Sequence, residues 1–153
     1  MFRFRPLAQA DAEAIARWRY PEPYSFYDTA ADEDDLAELL DPTWRGEAYA
    51  AVDDAGGELV GFFSFKRKEP GTLELGLGLR PDHTGRGLGL EFVRAGLDEA
   101  RSRLGPERFT LAVAAFNARA IAVYERAGFR EVRRYRHHTG GADWEFVEMR
   151  RPA

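Results

Sequence analysis

Apolar residues recur along this chain at two periods, and each change of period marks a change of element. Phe2, Phe4 and then Leu7 predict an opening strand. Over residues 11–20, Ile15 and Trp18 fall at helical spacing, and Pro21 and Pro23 end that helix. Asp32 is placed to cap a second short helix carrying Leu36, Leu39 and Leu40, with Pro42 after its end. Strand patterns follow over 48–52, 59–66 and 72–79, the first two joined by the turn Asp53-Asp54-Ala55-Gly56-Gly57. Leu73, Leu75, Leu77 and Leu79 share one face of the third, and Glu74, Gly76 and Gly78 share the other. Glycines inside a strand mark a bulge or the close approach of another chain or a ligand.

The longest helical pattern runs over 87–104, with Phe92, Val93, Gly96, Leu97, Ala100 and Leu104 on one side, and Gly105-Pro106 stops it. A strand over 109–114 follows. Asn117 then caps a helix that ends at Ala127 before Gly128. Residues 131–137 and 144–149 read as a closing antiparallel pair around Gly140-Gly141. No repeat or linker interrupts the pattern. The expectation is one α+β domain over 1–153: a mixed, mostly antiparallel twisted sheet flanked by about four helices.

Composition narrows the chemistry. At 44% hydrophobic, the chain can bury a core, and the absence of cysteine removes disulfides, thiolate zinc sites and a cysteine nucleophile. No metal site is expected. The first residues show no signal-peptide core, and no apolar run is long enough to span a bilayer, so the expected compartment is the cytoplasm. A net charge of −4 argues against a nucleic-acid binder. The charge is uneven, however. Residues 28–41 hold seven acids and no base, while 126–136 hold five arginines. These are either solvated faces or, for the first, an acidic rim that attracts a cationic acceptor.

The strongest local signal is the run from Leu75 to Leu90, LGLGLRPDHTGRGLGL. A strand enters a glycine-rich turn that opens a helix, which is how backbone N–H groups and a helix dipole are presented to a phosphate. Gly85, Gly87 and Gly89 keep side chains out of that approach, and Arg86 can add charge. A connection with no ligand remains an alternative. No Walker-type loop is present, and Phe109 stands where a dinucleotide fold needs an acid. The second signal is FNARAIAVYERAGF over 116–129. Taken alone, it is a capped amphipathic helix in which Tyr124 is a core aromatic and Asn117 a cap.

Together the two segments resemble the GNAT superfamily of N-acetyltransferases. That family pairs a phosphate turn, Gln/Arg-x-x-Gly-x-Gly/Ala, with Asn-x-x-Ala-x-x-x-Tyr-x-x-x-Gly-Phe about 30 residues later. Asn117, Ala120, Tyr124, Gly128 and Phe129 match the second pattern in full; Gly87 and Gly89 match the first, with Thr84 in place of Gln or Arg.

The resemblance implies acetyl-CoA as co-substrate, lying where the glycine-bearing strand splays from the next. Leu77, Gly78 and Leu79 would pair with the pantetheine arm through their backbone, Gly85, Arg86, Gly87, Leu88, Gly89 and Leu90 would hold the pyrophosphate, and Asn117 would bond the arm. Tyr124 would protonate the leaving thiolate. A neutral amine attacks directly, so a base or a proton-conducting water chain is needed; Glu74, on the glycine face of its strand, is the candidate base, with His83, His137 and His138 as others. Relatives that act on protein N-termini often carry a glutamate where this chain has Ala112, which points away from that sub-class. The acceptor is expected to be a cationic primary amine on a small molecule or peptide, bordered by Trp18, Tyr20, Tyr24, Phe26 and Tyr27 and by residues 137–144, unless those rings merely pack under the proline-rich loop. A non-catalytic acyl-CoA-binding or sensing module is the alternative function. Oligomeric state is left open between monomer and homodimer.

Overall fold

The computed structural model describes residues 1–153. Its strands are β1 (Arg3–Pro6), β2 (Tyr49–Asp53), β3 (Leu59–Arg67), β4 (Thr72–Leu79), β5 (Arg108–Ala114), β6 (Arg130–Thr139) and β7 (Ala142–Pro152). They form a single sheet in the order β1-β2-β3-β4-β5-β7-β6. Every neighbouring pair is antiparallel except β4 and β5. The helices are α1 (Gln9–Ala16), α2 (Glu33–Leu40), α3 (Pro42–Arg45), α4 (Gly89–Leu104) and α5 (Ala118–Arg126). No helix is long and apolar enough to cross a membrane.

The two sheet faces are packed differently. On one, α4 and α5 cover the main core, where Phe63, Phe92, Leu97, Phe109, Leu111 and Met149 are fully buried. Gly96 lets α4 approach this closely, since a Cβ there would collide with the Phe63 ring. On the other face, α1 and α2 close a smaller core of Ala12, Ile15 and Leu39, packed against Phe62 and Tyr49. Asp11 in the first turn of α1 accepts the Ala8 N–H at 2.8 Å and pairs with Arg5 at 2.6 Å. These bonds tie α1 to β1.

One irregularity positions the site. β4 pairs with β5 only through Thr72↔Arg108, Leu73↔Phe109 and Glu74↔Thr110. Beyond that point β4 follows β3 as far as Leu79, while β5 follows β7 as far as Ala114. The two strands part and a cleft opens between them. The Arg80 N–H bonds Val60 on β3, so by antiparallel alternation the backbone groups of Leu75, Leu77 and Leu79 face the cleft.

The structure corrects several expectations. The first helix covers Gln9–Ala16 rather than 11–20, and the tyrosine- and proline-bearing segment after it forms 3-10 turns at Tyr24–Tyr27 and Thr29–Ala31. Pro42 does not only follow a helix: capped by Asp41, it begins the one-turn α3, giving five helices where about four are expected. The long helix starts at Gly89, not Gly87, because Gly85 and Gly87 take positive φ in the turn. Gly76 and Gly78 make room for neighbours within the sheet: added Cβ atoms would meet Ser64 and the Phe62 ring across β3.

Candidate active site

The cleft between β4 and β5 is walled by Leu77 and Leu79 on one side and by Asn117, Ala120, Val123 and Tyr124 of α5 on the other. Its end is the turn into α4, with Gly85 at φ +72° and Gly87 at φ +76°. Leu88, at the N-terminal boundary of α4, makes no side-chain cap bond, and the first helical bond runs from Phe92 N–H to the Leu88 carbonyl. The N–H groups of Gly89, Leu90 and Glu91 therefore have no partner within the helix. Beyond a Cβ placed on Gly87 there is open space. An uncapped helix start, glycines with no side chain in the way and strand groups facing the gap fit a phosphate-bearing chain laid along β4.

Most of the sequence-predicted residues meet here. Leu77, Leu79, Gly85, Gly87, Gly89, Asn117 and Tyr124 line this cleft, and Gly78 lines its continuation. The side chains of Arg86, Leu88 and Leu90 do not, so Leu88 and Leu90 can contribute only their backbone; Leu90 packs on the core. Asn117 Oδ1 accepts the Ala120 N–H at 3.2 Å, so it does cap α5. The Ala114 N–H donates to the Tyr27 hydroxyl at 3.3 Å. Burial pushes that hydroxyl's pKa up, opposed by its bonds to Asn117 and Ala114. Tyr124 is more strongly affected: desolvation, then the nearby Tyr27, pushes its pKa well above that of an ordinary phenol. It stays protonated throughout the working pH range.

Arg119 is a cleft residue that sequence reasoning passed over, and Tyr20, expected only on the acceptor border, also reaches the cleft. Arg119 lines it beside Gly85, its guanidinium stacked 4.4 Å from the Tyr24 ring centroid. The Tyr20 hydroxyl donates to the Leu79 carbonyl at 2.7 Å. An arginine two positions after a helix cap was the available signal for Arg119; Tyr20 was expected at the acceptor, but nothing local signals its bond to Leu79.

Glu74 sits apart from Tyr124. It lies in the part of β4 still paired with β5, 3.5 Å from Lys68, and lines a second cavity on the α1–α2 side of the sheet. That cavity, about 830 Å³, also presents Glu22, Asp28, Asp32, Asp34 and Asp35. No lysine or arginine lines it. Its far wall is aromatic, with Phe26 packed 4.7 Å from Trp144 and 5.9 Å from Phe146. Asp32 closes one end, accepting from the Thr139 hydroxyl across the β6–β7 turn. Leu75, Ala112, Tyr27 and Asp35 line both this cavity and the splay, so the two spaces are continuous. The aromatic residues of 18–27 thus do both things: Trp18, Tyr20, Tyr24 and Tyr27 line the splay, while Phe26 packs. Two histidines have partners not visible in sequence, His83 with Asp82 at 3.1 Å and His138 with Asp143 at 2.8 Å.

A family model described as an acetyltransferase (GNAT) domain matches residues 2–130. A mycothiol acetyltransferase of Salinispora tropica is 37% identical over 136 residues, 82% of this chain and 43% of that protein. An L-methionine sulfoximine/L-methionine sulfone acetyltransferase of Pseudomonas aeruginosa is 31% identical over 56% of this chain and 52% of that protein. The chain spans about half the length, or less, of these curated relatives. Among solved structures, spermidine N-acetyltransferase from Vibrio cholerae, in complex with CoA and spermine, superposes with a TM-score of 0.80 at 22% identity, over 99% of this chain and 95% of that one. A GNAT-family acetyltransferase from Bacillus anthracis gives 0.75 at 16% identity, over 99% and 94%. These likenesses establish the fold.

Proposed function

The chain belongs to the GNAT acetyltransferase family, and from that premise we propose that it transfers an acetyl group from acetyl-CoA to a cationic primary amine. The observation that carries this reading is the parting of β4 from β5 beside Tyr124, with the uncapped start of α4 at one end of the cleft and the acidic cavity at the other.

Backbone groups of Leu77 and Leu79 would hold the pantetheine arm, and the turn from Gly85 to Leu90 its pyrophosphate. Arg119, with Arg86 at the rim, would add positive charge. Asn117 would reach the arm through the amide N–H not turned to Tyr27, its oxygen being used by the cap. Acetyl-CoA supplies the activated acyl group. The chain's own residues orient it and move protons. The acceptor nitrogen must shed a proton before it can form the new C–N bond, and Glu74 or the partnered His83 would take that proton directly or through water. As the C–S bond breaks, the protonated Tyr124 hydroxyl would donate to sulfur. The carboxylates and aromatic rings of the second cavity suit an extended cation. A polyamine is the first acceptor to try, given the spermidine N-acetyltransferase fold neighbour. Such a reaction suits a cytoplasmic setting, where acetyl-CoA is made.

The test is release of free thiol across a panel of polyamines, amino acids, amino sugars and peptides, with CoA binding measured by calorimetry. Turnover supports the proposal. Binding with no turnover would select an acyl-CoA sensor instead, and absence of both would overturn the reading of the cleft.

A further inference from the structure

The segment 17–28 leaves α1 and crosses the mouth of the cleft, touching the cofactor side at two points. At the first, the Tyr20 hydroxyl caps the Leu79 carbonyl at 2.7 Å. That carbonyl lies beyond the end of β4–β5 pairing and faces the cleft, so the splay has left it without a ladder partner. At the second, the Tyr24 ring lies against the Arg119 guanidinium, which borders the glycine turn. The same segment builds the acceptor side. Trp18, Tyr20, Tyr24 and Tyr27 line the splay, and Asp28 lines the acidic cavity while accepting the Tyr20 N–H at 2.7 Å.

From these contacts we infer that Tyr20 and Tyr24 are positioning residues that couple the two substrate sites: filling the cofactor cleft fixes segment 17–28 and so completes the acceptor wall. This rests on reading the cleft as the acyl-CoA site. The contacts favour cooperation over competition. A guanidinium can bond a phosphate through its edge while its face stays on a ring, so a phosphate that immobilises Arg119 also immobilises Tyr24. A carbonyl has two lone pairs, so an amide N–H laid on Leu79 does not have to displace the Tyr20 hydroxyl.

The experiment is hydrogen exchange of the full chain with and without saturating CoA, with CoA affinity measured on the same samples. In the native chain, CoA should slow exchange of the 17–28 amides by about fivefold or more, the lower end of ordinary coupling. In Tyr20→Phe and in Tyr24→Leu the slowing should fall to about twofold or less while CoA still saturates. Tyr24→Phe keeps the ring face and should retain the native ratio. A purely structural role would alter exchange of the free protein without removing the response to CoA. CoA binding with no slowing at 17–28, or equal slowing in every variant, overturns the coupling and leaves the proposed function standing. Failure to bind CoA at all overturns both.

Discussion

The Tyr124 hydroxyl and the Asp11 carboxylate are pushed in opposite directions, and each shift can be tested with a change of very few atoms. Tyr124→Phe keeps the ring that packs near Phe129 and removes only the hydroxyl. A general acid contributes about 10²–10⁴ in rate, and a thiolate leaves fairly well unaided, its conjugate acid having a pKa of about 8.5. We therefore expect kcat to fall by roughly 10², with CoA affinity unchanged by calorimetry. Wild-type turnover with chemistry rate-limiting would make water the donor. Asp11 is the reverse case: its hydrogen bond to Arg5 holds its carboxyl below the usual range. A depressed carboxylate contributes stability above its unfolded pKa of about 3.9, and that stability is lost as pH falls through the folded value. Asp11→Asn keeps an oxygen for the Ala8 cap and should cost about 1 kcal/mol at pH 7. The cost should shrink toward zero below about pH 4. Urea unfolding at pH 7 and at pH 3 compares the two, and an equal loss at both would assign the effect to packing rather than charge.

At the level of elements, the turn into α4 carries a prediction that separates conformation from contact. Gly87 has φ +76°, and no atom lies within 4 Å of where a Cβ would stand, so nothing in the chain itself crowds a substitution. Gly87→Val should thus strain the turn by about 1–2 kcal/mol and place a branched group where the pyrophosphate is proposed to lie. CoA binding should weaken by about tenfold or more, read by calorimetry on a variant whose thermal unfolding remains cooperative. Unchanged affinity would reject the assignment of this turn. Its glycines were legible because a strand, a turn and a helix can be read in order from Leu75 to Leu104. β4 and α4 were legible too, since each carries a long single-period apolar stripe. The segment 17–31 was not. Its tyrosines, prolines and acids follow no period, and its shape depends on distant partners, Leu79 for Tyr20 and Ala114 for Tyr27. α3 was hidden for a different reason, because Asp41-Pro42 serves equally as the end of one helix and the start of the next. Arg119 looked like one surface charge among many until α5 met the turn before α4.

For the whole molecule, the separation of charge matters more than the net −4. The start of α4 and Arg119 face one end of the cleft, and six carboxylates line the cavity that opens from the other. An anionic co-substrate and a cationic amine would then approach from opposite sides, each drawn by its own field. The acceptor side can be tested without knowing which base is used. Charges in an open cavity are screened over about 10 Å at 0.1 M salt, so kcat/KM for a polycationic acceptor should fall as salt rises. A neutral amine of similar size should respond little. Asp34 and Asp35 are the informative pair, being side chains of α2 that enter the cavity without closing it. Changed together to Asn, they should raise the acceptor KM several-fold and flatten its salt dependence, with kcat and CoA affinity held. Asp35 adds a pH signature. Desolvation, then the charges of Asp32 and Glu38, raises its pKa, so it takes up a proton before an ordinary carboxylate as pH falls. The acceptor KM should therefore begin to climb above pH ~4 in the native chain, and that climb should be absent in the double variant. Salt dependence that is flat for every amine, or unchanged by the double substitution, would make the acidic stretch a solvated helix and move the acceptor site to the aromatic splay.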